Sequence, residues 1–178
     1  MDIPASDRRR IILTSLLALP ALLVAGCGKK PAVKEATPPA PTPAPAATPK
    51  PTPKLSIEIR AAGDANRGPG GKGLPVVVRV YTLKSPGVFS TADFFSLYDR
   101  DAEVLGTDLI ARDEVTLAPG QFLPLERELD PTAGYLGAMA AFRDIDHSHW
   151  RESLRLNAGV DNKVLIEVGA KAVSIRHQ

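Results

Sequence analysis

The sequence predicts that residues 55–178 form a mainly β domain, an antiparallel sandwich of about eight strands with one inserted amphipathic helix. Three observations indicate this class. Apolar and polar residues alternate over several short segments, as half-buried strands require. Turn-forming residues separate these segments at short intervals, which is typical of sandwiches. One stretch, residues 91–105, instead carries apolar residues at helical spacing.

The first two predicted strands lie on either side of a glycine-rich loop. Residues 55–61 alternate apolar and polar side chains, and the run stops at Gly63. Val76, Val78 and Val80 form one face of the second strand, and its other face is largely apolar too. Because both faces are apolar, we predict that this strand is central in its sheet.

The helical stretch follows the second strand. Ser90 and Asp93 have the spacing of a capping box, and Gly106 supplies a stop signal. We therefore predict an amphipathic helix over 91–105 that packs against the sheet. A helix of a partner protein is the alternative occupant of the same apolar stripe, but packing within the domain is favoured.

The rest of the domain alternates strands with short turns. A Pro119-Gly120 turn between 109–117 and 122–129 predicts a hairpin. The segment 135–143 is rich in alanine and glycine and apolar on both sides, which indicates a buried strand. Three further segments complete the predicted set of eight: 150–156, 164–168 and 173–175.

The N-terminal region has the features of an export signal. Three arginines precede an apolar run over 11–24, which is too short for a permanent membrane-spanning helix. The run closes in Leu23-Val24-Ala25-Gly26-Cys27, where small residues precede the only cysteine, as in a bacterial lipobox. We predict a lipoprotein signal peptide over 1–26 and lipidation of Cys27. An ordinary buried thiol is the alternative.

Further features concern the route of export and the tether. The arginines partly match a twin-arginine signal, so the Sec and Tat routes both stay open. Gly28 follows the cysteine where retained lipoproteins carry aspartate, which favours the outer membrane. Residues 27–54 are predicted to be the lipidated cysteine and a disordered, partly polyproline-II linker, since 28–54 hold 9 of the 17 prolines.

The charge distribution disfavours a nucleic-acid-binding domain. The whole chain has a net charge of +2, but residues 55–178 hold 14 basic and 17 acidic residues, a net charge of −3. A nucleic-acid-binding domain is expected to have a basic face. With a single cysteine the chain can form no internal disulfide.

No motif predicts catalysis, a cofactor or a metal site. The string Gly68-x-Gly70-x-x-Gly73 fits a dinucleotide fingerprint, but a predicted strand follows it where that motif needs a helix. His147 and His149 lie two apart in a predicted loop, which favours a solvated turn over a metal centre. We predict that the chain is not an enzyme and has no cofactor.

Several segments, in this order behind a lipobox, resemble the TssJ lipoproteins of type VI secretion systems. The segments are Asn66, Pro75-Val76-Val77-Val78-Arg79-Val80-Tyr81-x-Leu83, Phe89-x-x-Ala92-Asp93-Phe94-x-x-Leu97, Leu105-Gly106, Pro119-Gly120, Tyr135-Leu136-Gly137 and Trp150-Arg151. The resemblance implies a transthyretin-like sandwich with an added helix. It also implies an outer-membrane anchor and binding to the periplasmic part of the inner-membrane protein TssM. The proline-rich spacer and the glycine-rich 67–73 depart from the family pattern.

The resemblance also points to the loop between the first two strands as the partner contact. The flanking strands hold this loop, residues 63–74, on a rigid frame, where binding residues are common. The alternatives are that 67–73 is only a flexible linker, and that the helix over 91–105 is the contact. The residues predicted to meet TssM are Asn66, Arg67, Gly68, Pro69, Gly70, Gly71 and Lys72.

Two other functional classes stay open at this point. A generic envelope-binding lipoprotein, specific for cell wall or carbohydrate, requires an aromatic-lined groove, and the chain has one tryptophan and three tyrosines. An anchored hydrolase requires a nucleophile and a base that the fold brings together.

Overall fold

The computed structural model describes residues 51–178. The predicted signal peptide, Cys27 and the linker up to residue 50 lie outside this range and stay predictions. Within the described residues, the helices are too short or too polar to cross a bilayer.

Eight strands form two four-stranded sheets. The strands are β1 (Lys54–Ala61), β2 (Val76–Leu83), β3 (Leu109–Leu117), β4 (Phe122–Glu128), β5 (Tyr135–Ala140), β6 (Arg151–Arg155), β7 (Asn162–Val168) and β8 (Val173–His177). Sheet A has the order β4-β1-β7-β8, and sheet B has the order β3-β2-β5-β6. All neighbours are antiparallel except β1 and β7, which run parallel. The predicted β-sandwich is confirmed, and β2 is central in its sheet.

The main core lies between the two sheets. The alternating apolar residues of β1 and β2 point inward, and none of Leu55, Ile57, Ile59, Val78 or Val80 is more than 1% exposed. Burial of each such side chain contributes about 1.5–3 kcal/mol. The period-two pattern of the sequence therefore corresponds to the face that each strand turns toward the opposite sheet.

A second, smaller core explains why β2 is apolar on both faces. Two helices, α1 (Gly87–Thr91) and α2 (Phe94–Leu105), cover the outer face of sheet B. A Cβ atom at Gly137 of β5 would lie 3.0 Å from the Phe89 ring, so glycine allows this ring to pack directly on the sheet. The buried members of this core are Tyr81, Leu83, Phe89, Leu97, Leu105 and Met139.

The helical region begins differently from the prediction. Ser90 lies inside α1 and caps nothing, whereas Asp93 caps α2 by accepting a hydrogen bond from the Ser96 amide at 2.9 Å. The reason is that Ala92 is extended, with φ −62° and ψ 148°, and so separates two helices. The predicted amphipathic helix on the sheet is confirmed, but its predicted cap is wrong.

The predicted hairpin of the third and fourth strands is also wrong. β3 pairs with β2 in sheet B, and β4 pairs with β1 in sheet A. The Pro119-Gly120 turn carries the chain from one sheet to the other, and the Gly120 amide donates to the Ala62 carbonyl at 3.2 Å. Pro124 has no N–H to offer a further strand, which suits the edge position of β4.

The strands run alternately up and down, so the connections alternate between two ends of the sandwich. The tether end holds Pro51–Pro53 before β1, together with the β4–β5 and β6–β7 connections. The loop end holds the β1–β2, β3–β4, β5–β6 and β7–β8 connections. The predicted partner loop is therefore at the end opposite to the point where the chain enters the domain.

Candidate functional site

Asn66 fixes the conformation of the predicted partner loop. It is 7% exposed, and its φ of 49° is left-handed, a conformation that asparagine tolerates better than most residues. Its side-chain amide donates to the Pro75 carbonyl at 2.8 Å and accepts from the Arg143 amide at 2.7 Å. Both functions of the amide are thus satisfied inside the domain, and Asn66 has little surface to offer a partner.

We expect Asn66→Ala to lower the free energy of unfolding by about 3 kcal/mol. Alanine is strained at positive φ, and the Arg143 amide loses its acceptor, with each effect worth about 1–2 kcal/mol. Asn66→Gly is the matched comparison because glycine accepts this φ. Urea unfolding should show a smaller loss for glycine than for alanine, and equal losses would contradict the role of the backbone conformation.

The tip of the loop is exposed and carries positive charge. Arg67 and Lys72 flank the Pro69–Gly71 turn, in which Gly70 and Gly71 have φ of 74° and 79°. Arg67 pairs with Asp64, but both side chains are about half exposed, with values of 50% and 42%. An exposed ion pair of this kind is weak, so the guanidinium is readily shared with a partner.

The base of the loop is held by its neighbours. The backbone N–H of Asn66 donates to the Gly169 carbonyl, and the backbone N–H of Arg67 donates to the Ala170 carbonyl. Both distances are 3.1 Å. A Cβ atom at Gly73 would lie 2.5 Å from the Gly63 carbonyl oxygen, so only glycine fits there. The base of the loop is therefore held by hydrogen bonds to the β7–β8 connection.

A second loop of the same end lies against this base. Asp144 accepts from His147 at 2.7 Å and from Lys171 at 2.9 Å, and these contacts lower the pKa of Asp144 to about 2. Lys171 lies in the β7–β8 connection, directly after Gly169 and Ala170, whose carbonyls accept from the partner loop. Its hydrogen bond to Asp144 therefore links the β5–β6 and β7–β8 connections. The loop end thus forms one continuous surface.

A buried ionic network fixes α2 on sheet B. Asp101, 4% exposed, accepts from Arg112 at 2.8 Å and from the Tyr81 hydroxyl at 3.1 Å. Arg79 donates to the Tyr98 carbonyl at 2.5 Å and lies 4.4 Å from the centre of the Tyr98 ring. Burial raises the pKa of Tyr81, which keeps its hydroxyl protonated as a donor to Asp101.

In the part of the chain that the structure describes, none of the three histidines hydrogen-bonds to a serine or threonine hydroxyl. The three histidines bond to a carboxylate or a backbone carbonyl: His147 to Asp144, His149 to Glu152 and His177 to the Arg155 carbonyl. Between residues 51 and 178, no three metal-binding side chains come together.

Sequence reasoning missed one exposed feature of the helical region. Phe95 is 65% exposed, although its neighbour Phe94 packs edge-on to Trp150 at 5.2 Å. Two adjacent aromatic residues on a helix cannot both face the sheet, since they are separated by about 100°. The Phe94-Phe95 doublet was therefore the signal in the sequence that one ring faces outward.

The comparisons with known proteins agree with this architecture. A family model described as "Type VI secretion lipoprotein, VasD, EvfM, TssJ" matches residues 53–171. The T6SS lipoprotein TssJ1 from Pseudomonas aeruginosa has a similar structure, with a TM-score of 0.69 and 35% identity over 72% of this chain and 98% of that one. A search of curated proteins gave no significant match.

Two further solved structures are similar. Serratia marcescens Lip, a membrane-bound component of the type VI secretion system, has a TM-score of 0.64 and 28% identity over 69% of this chain and 96% of that one. A chain in the structure described as the T6SS protein TssM C-terminal domain from EAEC has a TM-score of 0.56 and 31% identity, over 69% and 97%. The chain belongs to the type VI secretion lipoprotein family of VasD and TssJ, which are structural components and not enzymes.

Proposed function

We propose that this protein anchors a type VI secretion membrane complex to the outer membrane. In this proposal the lipid on Cys27 holds the protein to the periplasmic face of the membrane, and the loop over 63–74 binds the periplasmic region of TssM. The linker up to residue 54 spans the distance between the lipid and the domain. No small molecule or nucleic acid has a role in this function.

The opposite placement of tether and loop is the observation that carries this proposal. The chain enters at Pro51 on one end of the sandwich, and Arg67 and Lys72 project from the other. A lipid-anchored domain of this kind presents its loop end away from the membrane, toward a protein that comes from the inner membrane. A chain of similar structure in the TssM C-terminal domain structure supports TssM as that protein.

The test is a charge reversal at the tip of the loop. We expect Arg67→Glu with Lys72→Glu to weaken binding of the purified periplasmic region of TssM by about tenfold or more. The reason is that both side chains are exposed. Reversing their charge replaces the proposed attraction between the loop tip and TssM by repulsion. Isothermal titration measures the affinity, and circular dichroism confirms an unchanged melting temperature.

A matched control uses two exposed cations at the tether end. Arg155→Glu with Lys163→Glu makes the same change in net charge, far from the loop. This control should keep the affinity within about twofold, since distant surface charges are screened by salt. If the two double variants bind TssM equally well, the loop tip is not the main contact.

A further inference from the structure

A cluster of aromatic and aliphatic side chains lies beside the loop end. We call Phe94, Phe95, Ile145 and Trp150 the aromatic patch. Phe94 contacts Phe95 edge-on at 5.4 Å and Trp150 edge-on at 5.2 Å, so it joins the exposed ring to the domain. Phe95 is the most exposed of the large apolar side chains in the described part of the chain. Aromatic side chains of this kind often carry much of the binding energy of an interface.

The aromatic patch lines a surface depression of about 470 Å³ between the start of α2 and the β5–β6 connection. Asp93 and Asp146 also line the depression, and both residues are exposed. Hydrogen bonds from the Ser96 side chain and backbone amide lower the pKa of Asp93, so this carboxylate is charged at neutral pH. The depression thus combines apolar and acidic lining residues.

Within residues 51–178, the one cation that lines the depression is directed into the domain. Arg151 donates to the Phe89 carbonyl at 3.0 Å and to the Ala92 carbonyl, at the end of α1. Its guanidinium carbon also lies 4.5 Å from the centre of the Trp150 ring. Among the described residues, Arg151 forms no ion pair with Asp93 or Asp146, since its donors go to these two carbonyls. The guanidinium also covers a face of the indole, which disfavours a sugar that would stack on Trp150.

The aromatic patch is rigid and continuous with the partner loop. Arg79 of β2 donates a hydrogen bond to the Tyr98 carbonyl of α2. Asp101 of the same helix accepts a hydrogen bond from Arg112 of β3. The β5–β6 connection that supplies Ile145 is bonded to the partner loop through the Arg143 amide and Asn66. A preformed surface loses little conformational entropy on binding.

We propose that the aromatic patch is a second contact surface for the same periplasmic protein partner. It takes a segment of that partner in which a bulky aliphatic or aromatic side chain stands beside a lysine or arginine. The apolar side chain enters the depression next to Phe95, and the cation meets Asp93 and Asp146. The inference rests on the proposed function, and it adds a contact that the loop over 63–74 does not provide.

The experiment measures the affinity of the mature chain, purified in detergent, for the periplasmic region of TssM. Phe95→Ala should weaken binding by about tenfold, because a central exposed ring is lost. Asp146→Lys should weaken it by about threefold or more through like-charge repulsion. Val160→Ala is the control, since Val160 is 52% exposed at the tether end and should leave the affinity within about twofold.

The outcomes separate this inference from the proposed function. If the loop-tip reversal weakens binding but Phe95→Ala stays within about twofold of the parent, the aromatic patch is not a TssM contact and the proposed function stands. If the parent chain does not bind TssM, both the inference and the proposed function are wrong. The inference is also overturned if Phe95→Ala leaves TssM affinity unchanged but abolishes self-association, or binding to phosphatidylglycerol vesicles or soluble cell-wall fragments.

Discussion

Replacement of Cys27 by serine is expected to release the protein from the outer membrane without unfolding the domain. Each buried methylene of an acyl chain contributes about 0.8 kcal/mol to membrane binding, and stable attachment takes two or more anchoring signals. A serine at this position removes the lipid and with it the predicted attachment. The domain should be unaffected because residues 51–178 contain both apolar cores and do not include residue 27.

Membrane fractionation after cell disruption measures this effect. The variant should appear either in the soluble periplasmic fraction or as an unprocessed precursor that retains residues 1–26. Ala46→Ser is a suitable control, because it introduces the same side chain into the linker and leaves the lipobox intact. A processed Cys27→Ser protein that still fractionates with the outer membrane would show that the lipobox interpretation is wrong.

The strands of the sandwich were predictable because the burial of apolar faces determines the sequence pattern of each one. Alternation in β1 and the double apolar face of β2 follow from burial against one sheet or against a sheet and a helix. The pairing of β3 and β4 was not predictable in this way. A strand with one apolar face fits beside either inner strand, and the choice depends on long-range contacts such as the hydrogen bond from Gly120 to Ala62.

The position of the candidate loop was predictable, but the roles of its residues were not. The resemblance and the glycine-rich composition pointed to 63–74, and Arg67 and Lys72 are indeed exposed there. Asn66 was expected to face a partner, yet its amide is bonded to Pro75 and Arg143. Arg143 is 77 positions away, and a contact at that separation leaves no local pattern in the sequence. The contact of the loop with TssM stays a prediction.

Asp101 shows what local spacing can and cannot predict for a charged residue within a helix. In the sequence it lies four residues after Leu97 and four before Leu105, on the apolar side of the helix, whereas Asp99 and Glu103 lie on the polar side. In the structure α2 is kinked at Arg100, with φ −142° and ψ 39°. The Asp101 carboxylate lies against β2 and β3, where it accepts from the Ala102 amide at 2.7 Å and from Arg112. Its spacing was thus a signal of burial that was missed, whereas its partners Tyr81 and Arg112 lie on strands and left no local pattern in the sequence.

We expect Asp101→Ala to lower the free energy of unfolding by about 2–4 kcal/mol, a large part of the 5–15 kcal/mol typical of a domain. The loss leaves the Tyr81 hydroxyl and the guanidinium of Arg79 without this acceptor, and both groups are largely buried. Asp99→Ala removes an exposed carboxylate from the same helix and should change stability by less than about 0.5 kcal/mol. Urea unfolding at neutral pH compares the two.

The effect of Asp101→Ala should also depend on pH. Burial acts to raise the pKa of Asp101, but hydrogen bonds from Arg112 and the Ala102 amide outweigh it, and the pKa lies below its usual value. A depressed folded-state pKa contributes stability above the unfolded value of about 4 and loses it as the pH falls through the folded value. The difference between parent and variant should therefore be largest at neutral pH and shrink in acid. A difference that is constant from neutral pH to well below the unfolded pKa would show that the charge of Asp101 does not stabilise the helix on its sheet.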